Sequence, residues 1–204
     1  MPLFYQHNVN AGTKLAVWHI EEPEDFFLQQ VVLQKEIRHP HKRLQHLAGR
    51  YLLNLLHPGF PLDLIEITAS NKPLLPGNSF HFSISHCGNY AAAIVSATES
   101  AGVDVELISP KILSIQSKFL APEEIGLLPA GDVTFLTVAW SCKESVYKWY
   151  GMGGVDFKSH IVIRKMDLNN DAGSIDFLFT KDFEKELKVQ FHLFGHLCLA
   201  WVTS

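Results

Sequence analysis

Gly102-Val103-Asp104-Val105-Glu106 alternates apolar and acidic residues, the period of a β-strand, so Asp104 and Glu106 share one face and Val103 and Val105 the other. Two adjacent carboxylates repel each other. Such a pair is either a solvated strand face, the ordinary place for carboxylates, or part of a cation site whose hard oxygen ligands favour magnesium or calcium over zinc. Further along, Trp140-Ser141-Cys142-Lys143-Glu144-Ser145-Val146-Tyr147-Lys148 carries Trp140, Glu144 and Lys148 at i, i+4 and i+8, one stripe of a helix. As an exposed pair, Glu144 and Lys148 contribute only about 0.3 kcal/mol. The alternative is that Glu144 completes a metal site with Asp104 and Glu106, while Lys148 neutralises a phosphate beside the metal.

Phe80-His81-Phe82-Ser83-Ile84-Ser85-His86-Cys87-Gly88 reads as a strand ending in a Ser-His pair before a glycine. Consecutive serine and histidine are poorly placed as nucleophile and base, and no GxSxG elbow surrounds Ser85, which disfavours a hydrolase. A hydroxyl, an imidazole and the N–H groups of a glycine turn do suit a phosphate; a structural turn is the other reading. Gly151-Met152-Gly153-Gly154 has neither dinucleotide-binding nor Walker A spacing and reads as a helix stop. The 11 histidines include no HExxH pair, and His39-Pro40-His41 reads as a loop before a helix. Cys87, Cys142 and Cys198 are odd in number and widely spaced, as expected of core residues and not of disulfides or a zinc knuckle.

The elements that must position these groups come from a chain of 204 residues, 47% hydrophobic and 19% charged, long enough for one ordinary domain or two small ones. Its net charge of −4 gives no field for non-specific nucleic-acid binding. The start, Met1 to His7, lacks signal-peptide character and no apolar run reaches bilayer length, so a soluble cytoplasmic protein is expected. One helix is predicted from after Pro23 through Phe26, Phe27, Val31 and Val32, and a second from about Lys42 to Leu56. In the second, Leu44, Leu47, Ala48, Tyr51, Leu52, Leu55 and Leu56 line one face, and Arg43, His46 and Arg50 form a basic stripe on another. Strands are predicted at Leu64 to Ile67, around Phe80 to Ile84, at Ala91 to Val95 and at Val103 to Leu107. Helices at Ile112 to Phe119 and Val133 to Tyr150 precede an antiparallel meander through Ile161 and Ile163, Ile175 to Phe179, Val189 to Leu193 and Leu197 to Trp201. The expected class is α/β in the α+β sense: two similar lobes, residues 1–100 and 101–204, each a small, mostly antiparallel sheet with packed helices.

Together these segments resemble the 4′-phosphopantetheinyl transferase superfamily, in its longer, monomeric, surfactin-synthetase-activating form. The family's G-[IV]-D-x-E strand is matched by Gly102 to Glu106, and its W-[ST]-x-K-E-[AS]-x-x-K helix by Trp140 to Lys148. Asn71-Lys72-Pro73 is similar to its lysine-proline step, Phe82 to His86 to its serine-histidine strand, and Phe119-Leu120-Ala121-Pro122-Glu123-Glu124 to its F-x-x-x-E segment. The resemblance implies two lobes with coenzyme A in the cleft between them, the coenzyme's phosphates met by the first lobe and magnesium held by the second. It implies magnesium ligands at Asp104, Glu106 and Glu144, a diphosphate contact at Lys148, and phosphate contacts at Lys72, Ser85 and His86. Lys42, Arg43 and Arg50 are its candidates for the 3′-phosphate.

The chemistry implied is magnesium-dependent transfer of the 4′-phosphopantetheine arm to a serine of an acyl- or peptidyl-carrier protein, with Glu144 as base and Lys148 stabilising departing adenosine 3′,5′-bisphosphate. Lys111, Lys118 and Lys143 are expected to help dock an acidic carrier. Two rivals use the same residues: a magnesium-dependent phosphohydrolase or pyrophosphatase acting on coenzyme A or a nucleotide, and a non-catalytic module that binds coenzyme A or a carrier.

Overall fold

Two long amphipathic segments set the architecture, each becoming a helix laid on one antiparallel sheet. The computed structural model describes residues 2–33, 36–70, 72–129, 131–169 and 171–204. The chain divides into two units, Met1–Ala101 and Gly102–Ser204. Both are α+β, with antiparallel pairing as the strand patterns predict.

The first unit opens with a hairpin that the sequence patterns did not reveal, β1 (Leu3–Asn10) and β2 (Thr13–His19). Next comes α1 (Glu24–Leu28), which stops short of the expected Val31 and Val32. The helix α2 (Pro40–Leu56) begins earlier than predicted. Pro40 is its first residue, where a missing N–H costs nothing, and the Nδ1 of His39 accepts the backbone N–H of Lys42, so His39-Pro40-His41 starts the helix instead of preceding it as a loop. The expected strand from Leu64 shrinks to β3 (Glu66–Ile67), paired with β4 (Pro73–Leu74) after a 3-10 turn over Leu62–Leu64. Asn71 of the expected lysine-proline step lies outside the described residues. Strands β5 (His81–Cys87) and β6 (Tyr90–Ser96) complete a sheet of order β1-β2-β6-β5. As a central strand, β6 is buried at every position and so reads as a continuous apolar run. Leu47, Ala48, Leu52, Leu53 and Leu56 of α2 pack with Phe82, Ala91, Ala93 and Val95 in the core. Leu55, expected on that face, is exposed. A Cβ on Gly49 would stand 2.6 Å from Ile84 Cγ2, so α2 lies on β5 at a distance that only glycine permits.

The second unit starts with β7 (Ala101–Leu107), followed by a 3-10 turn over Pro110–Ser114 and the short helices α3 (Gln116–Phe119) and α4 (Pro122–Ile125). The helix α5 (Val133–Tyr150) has the predicted bounds. Asp132 Oδ1 caps it by accepting the N–H groups of Thr134 and Phe135, and Gly151 ends it with a φ of +73°. The meander follows as β8 (Ile161–Asn169), β9 (Ala172–Phe179), β10 (Lys185–Phe194) and β11 (Leu197–Thr203), in a sheet of order β7-β11-β10-β9-β8. Val138, Cys142, Val146 and Trp149 of α5 join Ile161, Phe177, Phe191 and Ala200 in this unit's core. Among the described residues no helix is long and apolar enough to cross a membrane.

Candidate active site

The strand β7 and the helix α5 bring the predicted acidic and basic groups together. They can do so because residue 102 is glycine. A Cβ there would lie 2.0 Å from the carbonyl oxygen of Ser145 and 2.7 Å from the amide nitrogen of Trp149, so any larger residue pushes the helix off the strand. Alternation then aims Asp104 and Glu106 at α5. Asp104 is 2% exposed; its Oδ1 accepts from Lys148 Nζ at 2.5 Å and its Oδ2 from Ser141 Oγ at 2.8 Å. Glu106 Oε1 accepts from the indole N–H of Trp140 at 3.3 Å. Glu144 lies between these contacts on the helix, one turn from both Ser141 and Lys148. Burial pushes its carboxyl up to about 7; the charges of Asp104 and Glu106 add to the rise and that of Lys148 opposes it.

These effects place the three carboxylates and the ammonium in one electrostatic group. Among the described residues no three histidine, cysteine or acidic side chains already form a metal cage. The ammonium of Lys148 supplies positive charge at Asp104. The chemistry of the donor set suits a hard divalent cation, since three oxygen donors converge there and a bound ion would offset both the burial of Glu144 and its repulsion from Asp104 and Glu106.

The other predicted residues belong to the first unit. Arg50 on α2 is 8% exposed; its guanidinium contacts His46 Nδ1 at 3.2 Å, and its Nε has no hydrogen-bond partner. Burial lowers its pKa. Arg43 is occupied differently, with its Nε 2.8 Å from Glu24 Oε1 and a second nitrogen donating to the carbonyl of Ile37. The expected basic stripe is therefore split: Arg43 serves a local ion pair and Arg50 goes inward. Lys42 is exposed. Lys72 is half-buried, and burial lowers its pKa. Its backbone exchanges hydrogen bonds with Thr68. Ser85 is buried and His86 exposed, and strand alternation sends their side chains to opposite faces of the sheet. The turn after them is held by Gln45 Nε2, which donates to the carbonyl of Gly88 at 2.8 Å.

A profile described as the 4′-phosphopantetheinyl transferase superfamily matches residues 100–202, just over half of the chain and the whole of the β7–α5 arrangement. The chain belongs to this superfamily. Enterobactin synthase component D of Salmonella austin is 35% identical over 115 residues, covering 52% of this chain and 47% of that protein. The 4′-phosphopantetheinyl transferase of Bacillus subtilis is 32% identical over 87 residues, covering 40% and 38%. The 4′-phosphopantetheinyl transferase psf-1 of Bacillus pumilus is 31% identical over 119 residues, covering 52% and 50%. The chain thus spans half or less of the length of these curated relatives.

Within the superfamily helix, one expectation fails. Lys143, predicted to help dock a carrier, is fully buried. Its Nζ donates to both oxygens of Glu124 at 2.9 and 2.7 Å, to the carbonyl of Phe119 at 2.8 Å and to that of Phe157 at 2.9 Å. An ammonium so enclosed cannot meet a partner's surface. Of the acidic pair in the predicted F-x-x-x-E segment, Glu124 is therefore the structural member. Ser141, which reaches Asp104, was missed, although residues 141, 144 and 148 sit at i, i+3 and i+7 on one helix face. Cys142 and Cys198 are fully buried core residues whose thiols burial pushes up, which keeps them unreactive.

Proposed function

We propose that this chain transfers the 4′-phosphopantetheine arm of coenzyme A to a serine hydroxyl of an apo acyl- or peptidyl-carrier protein, with magnesium as cofactor. The observation that carries this reading is the convergence of Asp104, Glu106, Glu144 and Lys148 in a member of this superfamily. Relatives from two Bacillus species bear the transferase name, which supports the same reaction here.

Asp104, Glu106 and Glu144 would hold Mg²⁺, which when bound neutralises diphosphate charge and eases the approach of an oxygen nucleophile. Glu144, directly or through a water, takes the proton of the carrier serine. The serine oxygen bonds to the phosphorus bearing the pantetheine arm, and the bond from that phosphorus to the oxygen of the departing adenosine 3′,5′-bisphosphate breaks. Lys148 meets the charge that grows on this leaving group, exchanging Asp104 for phosphate oxygen as its partner. Trp140 and Ser141 hold Glu106 and Asp104 in place meanwhile.

The candidates for the phosphate contacts are residues of the first unit. Among Lys42, Arg43 and Arg50, the buried guanidinium of Arg50 with its unpartnered Nε is the best candidate for the 3′-phosphate, because Arg43 is already paired with Glu24. Lys72 and one of Ser85 and His86, whose side chains leave β5 on opposite faces, are assigned to the remaining phosphate oxygens.

The test is to incubate the chain with coenzyme A and Mg²⁺, with and without apo-carrier protein, and to quantify adenosine 3′,5′-bisphosphate. Release that needs the carrier supports transfer. Release without a carrier supports hydrolysis, and coenzyme A binding without release under either condition supports a binding module.

A further inference from the structure

We propose that Lys143 is a positioning residue, whose buried ammonium sets the aromatic clamp that orients Trp140 and, through it, the carboxylate of Glu106. The inference rests on the transferase reading above and concerns how one of its metal ligands is aimed.

Lys143 ties together the segments that surround the signature helix. Its ammonium joins the C-terminal carbonyl of α3, at Phe119, to the carbonyl of Phe157 in the loop after α5. Its carboxylate partner extends the tie: Glu124 Oε1 accepts the N–H of Ile163 on β8 at 2.7 Å, and Glu124 Oε2 that of Ala121 at 2.9 Å. Glu124 is only 3% exposed, so both charges are enclosed and both are satisfied. A buried pair of this kind is an inefficient source of stability, because desolvation offsets most of the attraction. It is effective at fixing geometry, since leaving either charge alone is costly.

The geometry it fixes is that of two aromatic rings. Phe119 and Phe157, whose carbonyls Lys143 holds, flank the indole of Trp140 with centroid distances of 5.1 and 5.5 Å, the second nearly parallel at 21°. Phe157 also stacks on Tyr147 at 5.7 Å, which anchors the outer ring to the same helix. Held between them, Trp140 directs its N–H at Glu106 Oε1. Groups that hydrogen-bond to metal ligands commonly govern metal affinity although they never touch the metal.

The experiment titrates Mg²⁺ calorimetrically into the full chain holding coenzyme A, without a carrier, so that turnover is not the readout. Trp140→Phe keeps a ring in the clamp and removes only the N–H. It is expected to melt at the wild-type temperature and bind coenzyme A alone normally, but to bind Mg²⁺ about tenfold more weakly. Lys143→Met is expected to show the same weakening at a lower melting temperature. If Lys143→Met does not fold, Phe157→Leu, at a half-buried position, removes one ring in its place and is expected to weaken Mg²⁺ binding in the same direction. Wild-type Mg²⁺ affinity in Trp140→Phe, or in the folded Lys143 or Phe157 variant, overturns the inference and leaves the transferase reading intact. Absence of Mg²⁺ binding by the wild-type chain overturns the magnesium reading itself, and this inference with it.

Discussion

Lys148 on α5 and Asp104 on β7 form an ion pair of 2.5 Å, with the carboxylate side chain 3% exposed and the ammonium side chain 25% exposed. The pair places a cation where the proposed reaction needs one. Replacing Lys148 with methionine leaves Asp104 buried beside Glu106 and Glu144 without that cation. The metal-free variant is expected to lose about 2 kcal/mol of stability, and saturating Mg²⁺ to restore part of it. Urea unfolding with EDTA and with Mg²⁺ checks both effects.

Glu144 makes the metal-free protein sensitive to pH. In the fold its carboxyl rises from an ordinary 4.5 to about 7, chiefly through burial. Between those values the unfolded chain has released the proton and the folded chain still holds it, so this group's contribution to stability falls as pH rises and levels off above about 7. The loss is of the order of 3 kcal/mol. Urea unfolding at pH 5 and pH 8 in EDTA is expected to show this fall when the Glu144→Gln variant, which has no such proton, is subtracted.

Gly102→Ala is expected to cost about 3 kcal/mol, because the new methyl group meets the backbone of α5 at Ser145 and Trp149, which no side-chain rotation relieves. The same shift separates Asp104 from Ser141 and Lys148. Thermal unfolding measures the stability loss, and transfer activity is expected to fall further than in a control of equal stability altered at a distant core position.

Arg50 and Arg43 separate on opposite readouts. Arg50→Met removes a buried charge whose Nε has no partner, so stability is expected to hold while KM for coenzyme A rises about tenfold. With dephospho-coenzyme A the variant and the wild type are expected to be alike. Arg43→Ala breaks a partly exposed pair with Glu24, and is expected to change stability little and to leave KM unchanged.

The residues proposed to carry the chemistry were legible because their elements have clean local signals. Asp132 and Gly151 bracket α5, and the alternation of β7 assigns Asp104 and Glu106 to one face. The hairpin of β1 and β2 was not legible: Leu15 to Trp18 are all buried, which erases the period of two, and β1 is an edge strand with irregular register. Depth was the harder quantity. Lys143 and Glu144 are neighbours in sequence, yet one is sealed in the core by Glu124 from a separate helix and the other remains at the site. Helical periodicity describes a direction around the axis and says nothing of what other segments cover it. Arg50 turned inward for the same reason, and the start of α2 was misplaced because Pro40 was taken as loop when it is a first helical residue.

The most direct test of the central claim is the intact mass of an apo-carrier protein after incubation with the wild-type chain, coenzyme A and Mg²⁺, alongside Glu144→Gln and a reaction containing EDTA. The expected result is a gain of one phosphopantetheine on the carrier serine with the wild-type chain and none in the other two reactions. An unmodified carrier with the wild-type chain across several acyl- and peptidyl-carrier proteins, or an equal gain with Glu144→Gln, would contradict the account.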